Sequence, residues 1–306
     1  MSLALTFDPG AMLVSGCGRV GAGVVRILAK AGVPVVFTYN RDAARAAELV
    51  KAVEAAGGRV KARQMDLADT GSIKAALDDA AAFGGGVRHI VSSGGPMMPF
   101  GPMADLDPTA VAEFFDADAM GSLRLAQAAI PYLRQDGGSI SFCTTIANFR
   151  IVNLDGASPF SKGAVEALMR QIAYEEAKSK IRSNSVAVSW VSDLSKEAQT
   201  ADYAAAPEPT RSYVFSLIDQ MYDGTPLARP AMSDEAGYLF AFLASQQAAY
   251  LTGQTFRFDG GFALGGINEI ITKYSDIALA VLVIAVVAMI VIPLPTWLLD
   301  ILLTVQ

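Results

Sequence analysis

The stretch AMLVSGCGRVG, Ala11–Gly21, decides the fold. An apolar strand, Ala11–Ser15, runs into Gly16-Cys17-Gly18-Arg19-Val20-Gly21, and an alanine- and valine-rich helix follows over Val20–Ala31 until Gly32 closes it. In a GxGxxG placed between a strand and a helix, the first glycine allows a tight turn. The second lets backbone approach a pyrophosphate, and the third lets helix and strand pack closely. The helix N-terminus then faces the phosphates with free N–H groups and a positive dipole end. Ser15, Gly16, Gly18 and Gly21 are therefore expected cofactor-binding residues, with Gly23 an alternative third glycine.

Outward from this motif, β-branched runs alternate with helical stretches, the pattern of a parallel sheet covered on both faces. Strands are expected at Val33–Tyr39, Arg59–Gln64, Val87–Val91, Ser139–Cys143, Ser183–Val188 and Thr255–Phe258. Helices are expected from an Asp42 N-cap to about Ala56, from about Thr70, over Pro108–Leu133, over Ser158–Ala177 and over Ser233–Ser245. The fold class is thus α/β, a Rossmann-type doubly wound parallel sheet. The polar, Ala/Pro-rich stretch Ser192–Pro209 reads as a mobile substrate loop.

The residue after the second strand selects the dinucleotide. A carboxylate there would bond the ribose 2′-hydroxyl of NAD, but the strand ends Thr38-Tyr39-Asn40-Arg41. Asn40 and Arg41 are read as cofactor contacts, with Arg41 able to pair with a 2′-phosphate, since a guanidinium offers planar charged donors. NADP is favoured over NAD; an Arg41 that merely faces solvent is the competing reading.

Composition narrows the class further. Among 306 residues 52% are hydrophobic, enough for a large core, and the formal charge of −6 argues against a nucleic-acid partner. Cys17 and Cys143 form no CxxC and suggest a reducing compartment without a disulfide framework. His89, the single histidine, excludes a multi-histidine metal site and reads as structural. Cys17 reads as small apolar filler.

With these residues in place, the chain resembles the short-chain dehydrogenase/reductase family over about residues 10–264. Asp66-Leu67 looks like the family's adenine contact, and Ser92-Ser93-Gly94-Gly95 stands where its NNAG turn would be, giving Ser93 and Gly94 as cofactor contacts. Lys162-Gly163-Ala164-Val165 resembles the helix carrying the family's lysine. Ile181-Arg182-Ser183-Asn184 resembles the strand that follows, and Leu251-Thr252-Gly253-Gln254 with Phe258-Asp259-Gly260-Gly261 its C-terminal pattern. The resemblance implies a dinucleotide-dependent oxidoreductase acting on a small-molecule carbonyl/alcohol pair, in a dimer or tetramer.

The departures fall at the chemistry. The family's catalytic serine aligns with Thr145, its helix asparagine with Asp118, and its YxxxK motif with Ser158-Pro159-Phe160-Ser161-Lys162. Thr145, Ser158, Lys162 and Asp118 are therefore the candidate catalytic residues, Lys162 also holding the nicotinamide ribose. A phenol starts near pKa 10; an aliphatic hydroxyl is far less acidic and shorter. Asp155 or Asp118 would substitute as proton source only if burial raised its pKa. Ser158 and Lys162 at i, i+4 share a helix face, but their spacing differs from that of Ser–Lys acylases. The leading expectation is an NADP-dependent oxidoreductase with an atypical active site. The alternative is a weak or inactive NADP-binding scaffold or sensor tethered to the bacterial inner membrane.

The tail is of another kind. Ile277–Leu299 carries no charge, and as a helix would reach roughly 35 Å, enough to span a bilayer. Pro293 and Pro295 would kink or stop it, and a helix buried against a partner is the competing reading. Residues 276–306, with Ile292-Pro293-Leu294-Pro295-Thr296-Trp297, resemble the first membrane stretch of the bacterial type III secretion and flagellar export-gate protein. The expected organisation is a dinucleotide-binding domain over 1–264, a linker over 265–276 and a transmembrane helix within 277–306. The N-terminus reads as free of a signal peptide. The catalytic domain is expected in the cytoplasm, attached to the membrane through residues 277–299.

Overall fold

The computed structural model describes residues 4–265, 277, 279–281 and 283–284. Seven parallel strands lie in the order β3-β2-β1-β4-β5-β6-β7. They are β1 Ala11–Ser15, β2 Val35–Tyr39, β3 Val60–Gln64, β4 Val87–Ser92, β5 Gly138–Thr145, β6 Ile181–Val188 and β7 Thr255–Phe258. Because the chain winds outward from β1 and then restarts at β4, a crevice opens at the carboxyl ends of these two adjacent strands. Ser15 pairs in register with Ser92 at that point.

Nine α-helices are described: α1 Arg19–Lys30, α2 Ala43–Ala55, α3 Thr70–Gly84, α4 Pro108–Phe115, α5 Gly121–Leu133, α6 Ala157–Glu175, α7 Lys196–Asp202, α8 Thr210–Gly224 and α9 Ser233–Ala244. Successive side chains of a strand point to opposite faces, and both faces of this sheet are covered. Met12, Val14 and Phe37 pack with Val24 and Leu28 of α1 and Phe240 of α9. Leu13, Ile90 and Phe142 pack with Leu77 of α3, Leu125 of α5 and Met169 of α6. The largest of these side chains, Phe37, Phe142 and Phe240, are fully enclosed, each contributing roughly 1.5–3 kcal/mol of transfer free energy.

Three regions differ from the sequence reading. The helix expected over Pro108–Leu133 is interrupted by a π-helical turn, Asp116–Met120, between α4 and α5. The stretch Ser192–Pro209 is not a plain loop: Ser195 accepts from Ala198 N at 3.2 Å and caps α7. Gln199 on that helix is buried and bonds the Trp190 indole, the Leu194 carbonyl and the Tyr222 hydroxyl. The helix α8 had no counterpart in the periodicity reading.

By internal contacts the chain divides into Met1–Ala263 and Leu264–Gln306. In the second unit, residues 277, 279–281 and 283–284 are helical and exposed. Among the described residues no helix is long and apolar enough to cross a membrane. The span expected over 277–299 lies mostly outside them, as do Pro293, Pro295 and the 292–297 segment of the export-gate resemblance.

Candidate active site

A cleft of about 550 Å³ opens at the carboxyl ends of β1, β2 and β4. Its floor is the glycine loop. Gly16 sits at φ +85°, and a Cβ there would lie 2.6 Å from Gly94 Cα. A Cβ on Gly21 would lie 2.1 Å from the Gly16 carbonyl oxygen, so α1 meets the loop with no room for a side chain. Gly23 instead faces α9, where its Cβ would meet the Ser233 carbonyl; it is not the loop's third glycine. Gly18 has nothing within 4 Å of the equivalent position, and α1 begins there without a side-chain cap. Its first-turn N–H groups are therefore open to an anionic ligand.

Ser15 lines the cleft and also braces the loop. Its buried hydroxyl accepts from Ser93 N and Gly94 N, both at 3.2 Å, and Ser93 Oγ donates to the Ser15 carbonyl at 2.8 Å. Gly16 N donates to Thr38 Oγ1 at 3.1 Å. These bonds fix β1, β2 and the turn after β4 as one frame.

At the end of β2, Asn40 and Arg41 line the cleft together with Arg45. The nearest carboxylate, Asp42, accepts from Arg45 N at 2.9 Å and caps α2. Neither the Arg41 nor the Arg45 guanidinium has a hydrogen-bond or ion-pair partner among the described residues. Arg45 was not singled out from sequence, although its position in the first turn of a helix starting just after Arg41 was a usable signal. Asp66 and Leu67, after the neighbouring β3, line the same cleft; Asp66 Oδ1 accepts from Ala68 N at 2.9 Å, and Leu67 packs on Gly121. An open, uncapped helix end beside two unpaired guanidinium groups fits a phosphate-rich dinucleotide.

The candidate catalytic residues gather on α6 and its neighbours. Lys162 Nζ lies 2.5 Å from Asp118 Oδ1, and Ser161 Oγ donates to Asp118 Oδ2 at 2.7 Å. The Asp118 side chain is 2% exposed and that of Lys162 17%, so this is a buried ion pair. Asp118 belongs to the π-helical turn, a distortion frequent at functional sites, and its Oδ1 lies under Gly95. Ser158 is the second residue of α6, one turn before Lys162, and is buried. Thr145, at the end of β5, accepts from Ala147 N at 3.2 Å and so caps the short turn Ile146–Asn148.

Asp155 was visible in the sequence only as a conditional proton source. It is 7% exposed and accepts from Ser158 N at 3.2 Å. Burial pushes its carboxyl up to about 6, outweighing the contribution of Ser158, which favours the carboxylate.

Three other titratable groups lie outside the chemistry. His89 is buried at the start of β4, at the opposite end of the sheet, with Nδ1 3.0 Å from Ser139 Oγ; burial holds it near 3, hence neutral. Burial raises the Cys17 thiol and pushes Cys143 up to about 11, so both stay protonated. Among the described residues no cluster of metal-ligating side chains occurs.

Comparison with known proteins places this geometry. Residues 17–263 match a family model described as enoyl-(acyl carrier protein) reductase. An uncharacterized oxidoreductase of Methylorubrum extorquens is 29% identical over 250 residues, covering 81% of this chain and 96% of the relative. Versicolorin reductase 1 of Dothistroma septosporum is 28% identical over 263 residues, covering 83% and 96%. A short-chain type dehydrogenase/reductase from Mycobacterium ulcerans superposes with a TM-score of 0.75 at 26% identity, covering 85% of this chain and 92% of that one. Such a fold implies NAD(P) binding. The chain belongs to the short-chain dehydrogenase/reductase family.

Proposed function

We propose that the chain is an NADP-dependent oxidoreductase acting on a small-molecule carbonyl/alcohol pair, with Ser158 in the place of the family's tyrosine. The observation that carries this reading is the uncapped N-terminus of α1 at Gly18, in one cleft with Arg41 and Arg45, whose guanidinium groups have no partner among the described residues. When bound, the nicotinamide supplies or accepts the hydride. The chain's own residues bind and orient. The N–H groups of α1 hold the pyrophosphate, and Arg41 with Arg45 and Asn40 take the 2′-phosphate. Asp66 and Leu67 flank the adenine, and Ser93 and Gly94 shape the floor. Lys162, fixed by Asp118, hydrogen-bonds the nicotinamide ribose, and the Thr145 hydroxyl donates to the substrate oxygen.

Reductase activity is named for versicolorin reductase 1 and for the hydroxynaphthalene reductase of Aspergillus fumigatus, 28% identical over 247 residues, which supports reduction as the direction to test first. The test is turnover of a carbonyl panel by the full chain beside Ser158→Tyr. Consumption of NADPH coupled to alcohol formation supports the reading. Dinucleotide binding without turnover, unchanged by Ser158→Tyr, favours the second reading, a nucleotide-binding scaffold. That alternative draws on one observation: Asp118 neutralises the ammonium that would otherwise assist proton transfer.

Two further parts of the proposal concern assembly. A homo-oligomer, dimer or tetramer, would cover the exposed Phe160 of α6, whose ring packs tilted against Phe115 at 5.3 Å, and the exposed Tyr174; light scattering of the purified chain tests it. Attachment to a bacterial inner membrane through residues 277–299, joined by a 265–276 linker to a cytoplasmic domain over 1–264, rests on the uncharged sequence alone. Partitioning of the full chain between membrane and supernatant tests it.

A further inference from the structure

Ser158 alone is a poor replacement for a tyrosine, because a proton leaving an aliphatic hydroxyl needs somewhere to go. The structure gives it a neighbour. Asp155 sits three residues earlier, just before α6, with its carboxyl accepting from the Ser158 backbone N–H at 3.2 Å and so held against the residue that carries the hydroxyl. Both residues are enclosed, Asp155 at 7% and Ser158 at 6% exposure. We propose that Asp155 exchanges, through the Ser158 hydroxyl, the proton that the substrate oxygen gains on reduction and loses on oxidation. The proposal rests on the oxidoreductase reading and supplies the acid that reading lacks.

In reduction, Ser158 Oγ gives its hydrogen to the substrate oxygen while accepting one from the Asp155 carboxylic acid. The carbonyl carbon receives the electron pair and hydrogen from the reduced nicotinamide dinucleotide, and Asp155 is left as carboxylate. Oxidation runs each transfer backward, Asp155 ending protonated. Three features suit the carboxyl to this exchange. Burial holds its proton to about pH 6, so both forms are populated near neutrality. Besides burial the group acting on it is Ser158, and no charged side chain among the described residues adds to burial. The segment crossing it, where Gly101 N donates to the Leu154 carbonyl at 3.0 Å, reads Pro99-Phe100-Gly101-Pro102-Met103 and carries no titratable group. On the same helix the Lys162 charge is already taken by Asp118.

The discriminating variant is Asp155→Asn. Asparagine keeps an oxygen that can accept from Ser158 N, so the start of α6 is kept while the exchangeable proton is removed. Carbonyl reduction by the parent chain is expected to fall tenfold per pH unit above about 6, and alcohol oxidation to rise toward the same value. Asp155→Asn is expected to lose ~10²–10⁴-fold in kcat/KM and the inflection with it, while Asp155→Glu recovers part of both. A readout independent of turnover is the carboxyl carbon resonance of Asp155 in the unloaded full chain. It should titrate near 6, and higher in Ser158→Ala, where a donor to the carboxylate is gone. Turnover that survives Asp155→Asn with its pH profile intact overturns the relay alone. A carboxyl titrating near 6 in a chain that reduces nothing overturns it together with the oxidoreductase reading. A resonance titrating in the ordinary carboxylate range overturns the acid role directly.

Discussion

Gly18 and Gly21 stand three residues apart in one loop, yet an added methyl group should do opposite things at them. Gly18 has φ −63°, accessible to any residue, and nothing within 4 Å of its Cβ position. In Gly18→Ala, restricting the unfolded chain gains ~0.4–1 kcal/mol, offset by alanine's poorer capping. The unliganded stability should therefore change by less than about 1 kcal/mol. The methyl group, however, projects into the cleft where the α1 N–H groups meet the pyrophosphate. Losing one charge-assisted hydrogen bond there costs about 1.5–3 kcal/mol, or roughly 10- to 100-fold in Kd. At Gly21 the methyl would lie 2.1 Å from the Gly16 carbonyl, and only backbone movement relieves that. Gly21→Ala should lose about 1–3 kcal/mol of stability or more, and affinity besides. Urea denaturation of both variants, followed by NADPH titration monitored by fluorescence, separates the effects. A Gly18→Ala chain that binds as tightly as the parent would refute the placement of the pyrophosphate. A Gly21→Ala chain of unchanged stability would refute the close approach of helix and loop.

Other outcomes follow from the same geometry. Replacing Arg41 and Arg45 together by alanine should cut the preference for NADPH over NADH at least about tenfold, each contact to a phosphate contributing ~1.5–3 kcal/mol; paired titrations read this. Asp118→Asn should destabilise the chain by about 3–5 kcal/mol by leaving Lys162 buried without its counter-ion. Adding Lys162→Met should recover part of that loss in denaturant melts. His89 is neutral when folded to about pH 3 but takes a proton below 6.5 when unfolded. Its contribution is thus present above 6.5 and lost as pH falls toward 3, by about 1.4 kcal/mol per pH unit. His89→Gln should flatten that limb of the stability–pH curve.

What was legible in the sequence follows physical range. The first and last strands, Ala11–Ser15 and Thr255–Phe258, and the Asp42 cap of α2 are set by neighbours within a few residues, and they agree with the structure. The π-helical turn at Asp116–Met120 leaves the helical periodicity of 108–133 undisturbed, so nothing local announces it. The ordering of α7 depends on Gln199 reaching Trp190 and Tyr222, partners brought together only by the fold. Thr145, Asp118, Ser158 and Lys162 were found by alignment with a family pattern. That Asp118 closes directly on Lys162 and Ser161, and that Asp155 is sealed against Ser158, depends on contacts between segments and on burial. Ser15 lines the cleft, and that its hydroxyl also holds the turn after β4 depends on a contact between segments.

The central claim is that the crevice at the ends of β1, β2 and β4 holds a phosphorylated nicotinamide dinucleotide. Equilibrium titration of the full chain with NADPH and with NADH tests it most directly. Saturable binding of both, with NADPH the tighter, is the result predicted. Binding of neither would contradict the account and leave a dinucleotide fold without its ligand.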